Sequence, residues 1–97
     1  MERGGAVYIL TNHSNTTMYV GVTSELSERV HDHKTHRYPR SFTARYKVHK
    51  LVYYEAYHSI EEAIAREKQL KAGSRKKKQA LINAFNPEWR DLYDDLE

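Results

Sequence analysis

Two runs of β-forming residues separated by a polar gap constrain this chain more than any other stretch. Val7-Tyr8-Ile9-Leu10-Thr11 and Met18-Tyr19-Val20-Gly21-Val22 are rich in branched and aromatic side chains, and Asn12-His13-Ser14-Asn15 between them supplies turn chemistry. The pair reads as a β-hairpin. Side chains alternate across a strand, so Val7, Ile9, Val20 and Val22 form one buried face while Tyr8 and Tyr19 share the other. That sharing requires an even-length turn, because a slip of one residue sends every side chain to the opposite face. Two phenols on one face, followed by Arg29 and His33, read as the start of a site.

Bulk properties narrow the classes. With 97 residues the chain is expected to form one domain over 1–97, with a core at about 6–86 and a short C-terminal helix over 87–97. Charged residues are 30% and hydrophobic ones 39%, the balance of a soluble globular protein. No apolar run is long enough to span a membrane, and Met1-Glu2-Arg3-Gly4-Gly5 does not read as a signal peptide, so a cytoplasmic location is expected. The absence of cysteine excludes disulfides, thiolate catalysis and Cys-type zinc sites. The net charge is +3 and the pI ≈ 9.2. Cations gather between positions 34 and 50 and at Arg75-Lys76-Lys77-Lys78, whereas the C-terminus is acidic. Eight tyrosines among basic residues suit a polyanion surface, although a solvated basic face explains the lysines as well.

Along the chain, Ser24 is the expected N-cap of a helix over about 25–34. Leu26, Arg29, Val30 and His33 share one stripe of it, which leaves Arg29 and His33 either as boundary residues or as part of a site. The segment 35–47 carries His36, Arg37, Arg40, Arg45 and Lys47 around Pro39, with Tyr38, Phe42 and Tyr46 interleaved. It reads as a loop with one helical turn, suited to phosphate contacts or to a packed connection anchored by its aromatics. Residues 50–57 (KLVYYEAY) form the strongest strand, placed in the sheet beside the hairpin. Ser59 and Glu62 make a capping box for a helix over about 60–71. Its apolar stripe is Ile60, Ala63, Ile64 and Leu70, and Glu67 falls in the middle of it. A carboxylate there is costly unless paired or bound to a metal. Its partner is either a cation such as Arg29 or Lys34, or a hard divalent ion. Gly73 is a C-cap. A further helix over about 76–85 has the stripe Ala80, Leu81, Ala84 and Phe85. Asn86-Pro87 then reads as the N-cap and first turn of the closing helix, docked through Leu92, Tyr93 and Leu96.

Together these features resemble the GIY-YIG nuclease superfamily, in its small single-domain bacterial-type members, from about Val7 to Leu96. The first signature stands here as Ala6-Val7-Tyr8 and the second as Tyr19-Val20-Gly21. The helix with Arg29 and His33, the KLVYYE strand, Ala65-Arg66-Glu67-Lys68-Gln69-Leu70-Lys71 and Asn86-Pro87-Glu88-Trp89 follow in the family's order. The resemblance implies an α+β fold, a three-stranded antiparallel sheet flanked by helices. It also implies hydrolysis of nucleic-acid phosphodiesters, DNA before RNA, by one Mg²⁺ or Mn²⁺ ion, leaving 5′-phosphate and 3′-hydroxyl ends. Carried over by position, Tyr8, Tyr19, Arg29 and His33 are catalytic and Glu67 is the metal ligand. Asn86, Arg40, Arg45 and Lys47 are expected to contact substrate, with a protein partner as a possible source of specificity. Ala6 replaces the first signature's glycine, and Val22 stands where some members have a lysine able to depress a tyrosine pKa. Arg29, His33 or the metal must then assume that task. Two other readings compete: a non-cleaving or partner-dependent nucleic-acid-binding module, and a structural domain in which Glu67 and Arg29 pair.

Overall fold

The computed structural model describes residues 4–35 and 37–96. His36 of the basic segment, Met1 to Arg3 of the leader reading and Glu97 of the acidic tail lie outside them. The elements are β1 (Gly5–Thr11), β2 (Met18–Thr23), α1 (Leu26–Lys34), α2 (Phe42–Arg45), β3 (Lys50–Tyr57), α3 (Ile60–Ala72), α4 (Arg75–Phe85) and a closing 3-10 turn, Tyr93–Leu96. The strands form one antiparallel sheet in the order β2-β1-β3, an α+β architecture. All of β1 is buried, as expected of a central strand covered on both faces. Among the described residues no helix is long and apolar enough to cross a membrane.

The hairpin turn decides which side chains share a face. Asn12 Oδ1 accepts from the amides of Thr16 and Thr17 at 2.8 and 3.0 Å, an Asx-type closure, and Asn15 takes the left-handed conformation (φ 60°). The turn spans Asn12 to Thr17, so Thr11 pairs with Met18, Ile9 with Val20 and Tyr8 with Gly21. Tyr8 and Tyr19 therefore lie on one face and Val7, Ile9, Val20 and Val22 on the other.

Each face has its own core. Ala63 and Leu70 of α3 and Ile82 of α4 cover Val7, Ile9 and Val20, while Val30 of α1, Val48 and Leu92 cover Tyr8, Leu10 and Leu51. Each fully buried aliphatic side chain contributes about 1.5–3 kcal/mol. A bulge in β3 shapes both layers. Ile9 pairs with Tyr53 but Leu10 with Leu51, so the extra residue, Val52, joins Tyr53 in the α3/α4 layer. Regular alternation does not contain this shift.

Several local expectations are corrected. Ser24 does not cap α1; Thr23 Oγ1 takes the Glu25 amide at 3.0 Å, and Glu25 stands at the N-cap without a side-chain bond. On α3, Ile64 is 37% exposed rather than buried, because the helix rests on the small Ala63 and on Leu70. On α4, Ser74 is the N-cap and Ile82 the buried residue, while Ala80 and Ala84 are exposed and the half-exposed Phe85 rests edge-on against the Tyr53 and Tyr54 rings. No α-helix starts at Asn86; among the described residues the closing helical element is the short 3-10 turn Tyr93–Leu96. The Asn86 amide donates to the carbonyls of Val52 and Arg90 at 3.1 and 2.8 Å, and its oxygen accepts from the Arg90 amide at 3.3 Å. Those bonds close a turn in which Trp89 is left-handed (φ 54°), and the Leu92 amide then reaches the Leu51 carbonyl at 2.8 Å.

Candidate active site

Gly21 allows the site to form. An added Cβ there stands 2.4 Å from both Cζ and the hydroxyl of Tyr8 and 2.9 Å from Cε2 of Tyr19. The Tyr8 ring thus crosses the neighbouring strand where that strand has no side chain. In this way a tyrosine on the central strand reaches α1.

The Tyr8 hydroxyl lies 3.1 Å from His33 Nε2, and His33 Nδ1 lies 2.8 Å from Thr43 Oγ1. In the tautomer that donates Nδ1–H to Thr43, Nε2 accepts the Tyr8 hydroxyl. Ser41 Oγ is 3.2 Å from Thr43 Oγ1 and caps α2, so the segment after α1 orients the imidazole. Tyr19 completes the group, with ring centroids 6.3 Å from Tyr8 and 5.7 Å from His33.

Burial and charge displace the proton affinities of this cluster in opposite directions. Burial pushes the Tyr8 phenol up to about 12, aided by Tyr19 and Glu67 and opposed by Arg29 beside it. His33 is pushed down to about 4 by burial and then by the Arg29 charge, with Asp32 opposing. Near pH 7 the pair is therefore neutral. Arg29 stands one turn before His33, its guanidinium 5.6 Å from the centroid of the Tyr38 ring. Burial lowers its affinity, but Tyr8, Tyr19 and Tyr38 outweigh that and keep it a cation.

Glu67 stands on α3, and its charge makes the smallest of the contributions that act on Tyr8. Its side chain is 16% exposed and its contact is with Lys71 one turn later, Nζ to Oε2 3.3 Å. The partners expected from sequence are engaged otherwise: Lys34 pairs with Asp91 and donates to the His49 carbonyl. Lys71 is half exposed, so its pairing is weak and easily displaced. Among the described residues no three His, Cys, Asp or Glu side chains cluster. A lone carboxylate of this kind suits a hard divalent ion that keeps water or substrate oxygens as its other ligands, and does not suit zinc.

The remaining sequence-derived residues lie apart from this centre. Asn86 belongs to the β3 side of the sheet, its amide engaged with the Val52 and Arg90 carbonyls. Arg40, Arg45 and Lys47 are exposed around α2, with Arg45 5.8 Å from the centroid of the Tyr46 ring. They border the site without bonding to Tyr8 or His33. Thr43 and Lys71 were missed by sequence reasoning. Lys71 had a signal, the i+4 spacing from Glu67; Thr43 had none, because its partner is distant in the chain.

Comparison with known proteins gives the family and the fold. A family model described as the GIY-YIG catalytic domain matches residues 4–80. A UPF0213 protein of Syntrophus aciditrophicus (strain SB) is 37% identical over 82 residues, covering 84% of this chain and 92% of that protein. The solution NMR structure of a UPF0213 protein from Bacillus halodurans superposes with a TM-score of 0.57 at 27% identity, covering 91% and 92% of the two chains.

Proposed function

The chain belongs to the GIY-YIG family, a family of nucleases acting on nucleic acid, and from that membership we propose that it is a divalent-metal-dependent endonuclease. It cleaves phosphodiesters, of DNA before RNA, to 5′-phosphate and 3′-hydroxyl ends, and DNA repair is a fitting setting. The observation that carries the reading is the hydroxyl–imidazole–hydroxyl chain Tyr8–His33–Thr43, with Arg29 and Glu67 acting on Tyr8 with opposite charge.

Glu67 would hold the metal, one Mg²⁺ or Mn²⁺, which when bound would supply positive charge to offset the charge that develops in the transition state. Arg29 clamps the phosphate through its planar donors. Tyr8 takes a proton from the attacking water as its own proton passes to His33 Nε2, 3.1 Å away. The leaving 3′ oxygen takes up a proton from solvent, and His33 releases its proton to solvent to reset the pair. The arriving phosphate aids the transfer to His33, because its negative charge offsets the Arg29 charge that depresses His33. Thr43 holds the imidazole in the accepting tautomer. Tyr19 packs against Tyr8 and His33 and orients the phosphate or the Tyr8 ring.

The test is incubation of the protein with labelled single-stranded, duplex and branched DNA and with RNA, in Mg²⁺, Mn²⁺ or chelator, beside Glu67→Ala. Metal-dependent cleavage lost in the variant supports the reading; cleavage unaffected by chelator contradicts it. One observation favours a second reading, a binding module that cuts only with a partner: a phenol near 12 and an imidazole near 4 leave no ready base at neutral pH. Salt-sensitive binding without cleavage in any metal selects that reading.

A further inference from the structure

A groove of ≈ 490 Å³ opens beside Tyr19 between walls of different chemistry. On one side the Phe42 ring stacks on Tyr19, centroids 6.1 Å apart and planes at 28°, and continues to Tyr46 at 4.7 Å. On the other are Lys71, Arg75 and Lys78. Arg75 donates to the Asn15 carbonyl at 3.2 Å and Lys78 to the Gly73 carbonyl at 3.0 Å. Those neutral acceptors position the cations and leave their charge uncancelled. The groove is continuous with the catalytic cluster, since Lys71 pairs with Glu67 and Tyr19 touches the His33 ring.

Packing accounts for only part of the aromatic wall. Thr43 and Val48 anchor this segment, 3% and 0% exposed, whereas Phe42 and Tyr46 are 47% and 48% exposed. The aromatics fasten the loop only in part, through the Phe42 stack on Tyr19. Polar bonds from Ser41 and Thr43 set the backbone, and the rings are presented outward. A flat apolar wall opposite a row of cations matches a ligand that joins a planar ring to an anion. The volume lies within the ~300–1,000 Å³ of small-ligand pockets, room for a nucleotide.

Resting on the nuclease reading above, we propose that this groove is a subsite for one unpaired nucleotide next to the cleaved phosphate, its base stacked on Phe42 and its phosphate facing Lys71, Arg75 and Lys78. Within a continuous duplex both faces of a base are covered by its neighbours. A stacking wall therefore takes a base only from a single strand or one turned out of the helix.

Binding in chelator reads the subsite without any cleavage, so its failure is distinguishable from failure of the nuclease reading. The probes are a fluorescent oligothymidylate, a matched duplex of equal length, and that duplex with one mismatched pair to supply a turned-out base. Phe42→Ala is expected to weaken oligothymidylate binding by about 5- to 150-fold, the worth of one base–aromatic stack, with duplex binding and thermal midpoint unchanged. Phe42→Leu, which keeps bulk and loses the flat face, behaves alike, and Phe42→Trp retains affinity. Lys78→Ala lowers the salt slope by about one. The mismatched duplex tells whether a turned-out base is accepted or only a free strand. The proposal is overturned if wild type binds no oligothymidylate, if Phe42→Ala weakens single strand and duplex equally, or if Phe42→Leu binds as wild type.

Discussion

Two clusters in this molecule are built from the same residue types and arrive at opposite states. Each contains a glutamate, an arginine and two tyrosines: Glu55, Arg66, Tyr53 and Tyr57 on one side, Glu67, Arg29, Tyr8 and Tyr19 on the other. Glu55 is saturated. Arg66 reaches it in bidentate fashion at 2.9 and 3.2 Å, Tyr57 donates at 2.7 Å, and Tyr53 donates as well. Burial disfavours its charge, but the bonds from Arg66, Tyr53 and Tyr57 outweigh that and hold it below the usual carboxylate range. Glu67 has one displaceable lysine, its arginine stands by the phenols, and Tyr8 is bonded to a histidine. The first cluster has nothing left to offer a ligand. The second keeps a carboxylate and a cation available, which a structural role does not require.

The contrast is sharpest in exchanges of the two acids. Glu67→Gln is expected to reduce cleavage by about 10²–10³-fold, the scale of losing one preorganised charge group, with little change in thermal midpoint. Glu55→Gln should do the reverse: activity retained and about 2 kcal/mol of stability lost, below the range for fully buried pairs because this one is partly exposed. Parallel rate assays and thermal melts check both, and equal effects of the two exchanges would erase the distinction. Tyr8→Phe removes the hydroxyl bonded to His33 and should lower the rate by about 10²–10⁴-fold, whereas Tyr57→Phe leaves the rate unchanged. Gly21→Ala tests whether reach across the strand is the requirement. It should displace the phenol, lower activity by about 10²-fold and cost about 1–3 kcal/mol, read by single-turnover cleavage and denaturant titration.

Acid separates the clusters by window. His33 has a folded value near 4 against 6.5 for the ordinary group, so the unfolded chain binds more protons between these values. Its stabilisation is complete above about pH 6.5 and is lost as pH falls toward 4. Glu55 is depressed, so its contribution stands above the ordinary carboxylate value of 4.5 and is lost only below it. Stability measured from pH 7 to 3 should fall in two stages, and His33→Gln should remove the first. The smallest effect is expected for Lys71→Ala, within about 0.5 kcal/mol of wild type.

Much of this was legible in the chain, for identifiable reasons. The Tyr8/Tyr19 face followed from strand parity and an even turn, and Glu67 stood out because a carboxylate interrupted an apolar stripe. Local signals failed where a distant partner decides. The bulge at Val52 depends on β1 and β3 together, and the exposure of Ile64 and burial of Ile82 depend on where each helix meets the sheet. Asn86 carries the composition of an N-cap, yet its amide is claimed by the Val52 carbonyl. Gly21 belonged to the second signature, but its task, clearing a path for Tyr8, is visible only with both strands in register.

Manganese titration followed by the proton resonances of the aromatic rings separates the two clusters in one experiment. Low Mn²⁺ should broaden Tyr8, Tyr19 and His33 first and leave Tyr53 and Tyr57 sharp, and Glu67→Gln should abolish that broadening. Broadening that begins at Tyr53 and Tyr57, or that persists unchanged in Glu67→Gln, would contradict the assignment of Glu67 as the open acid.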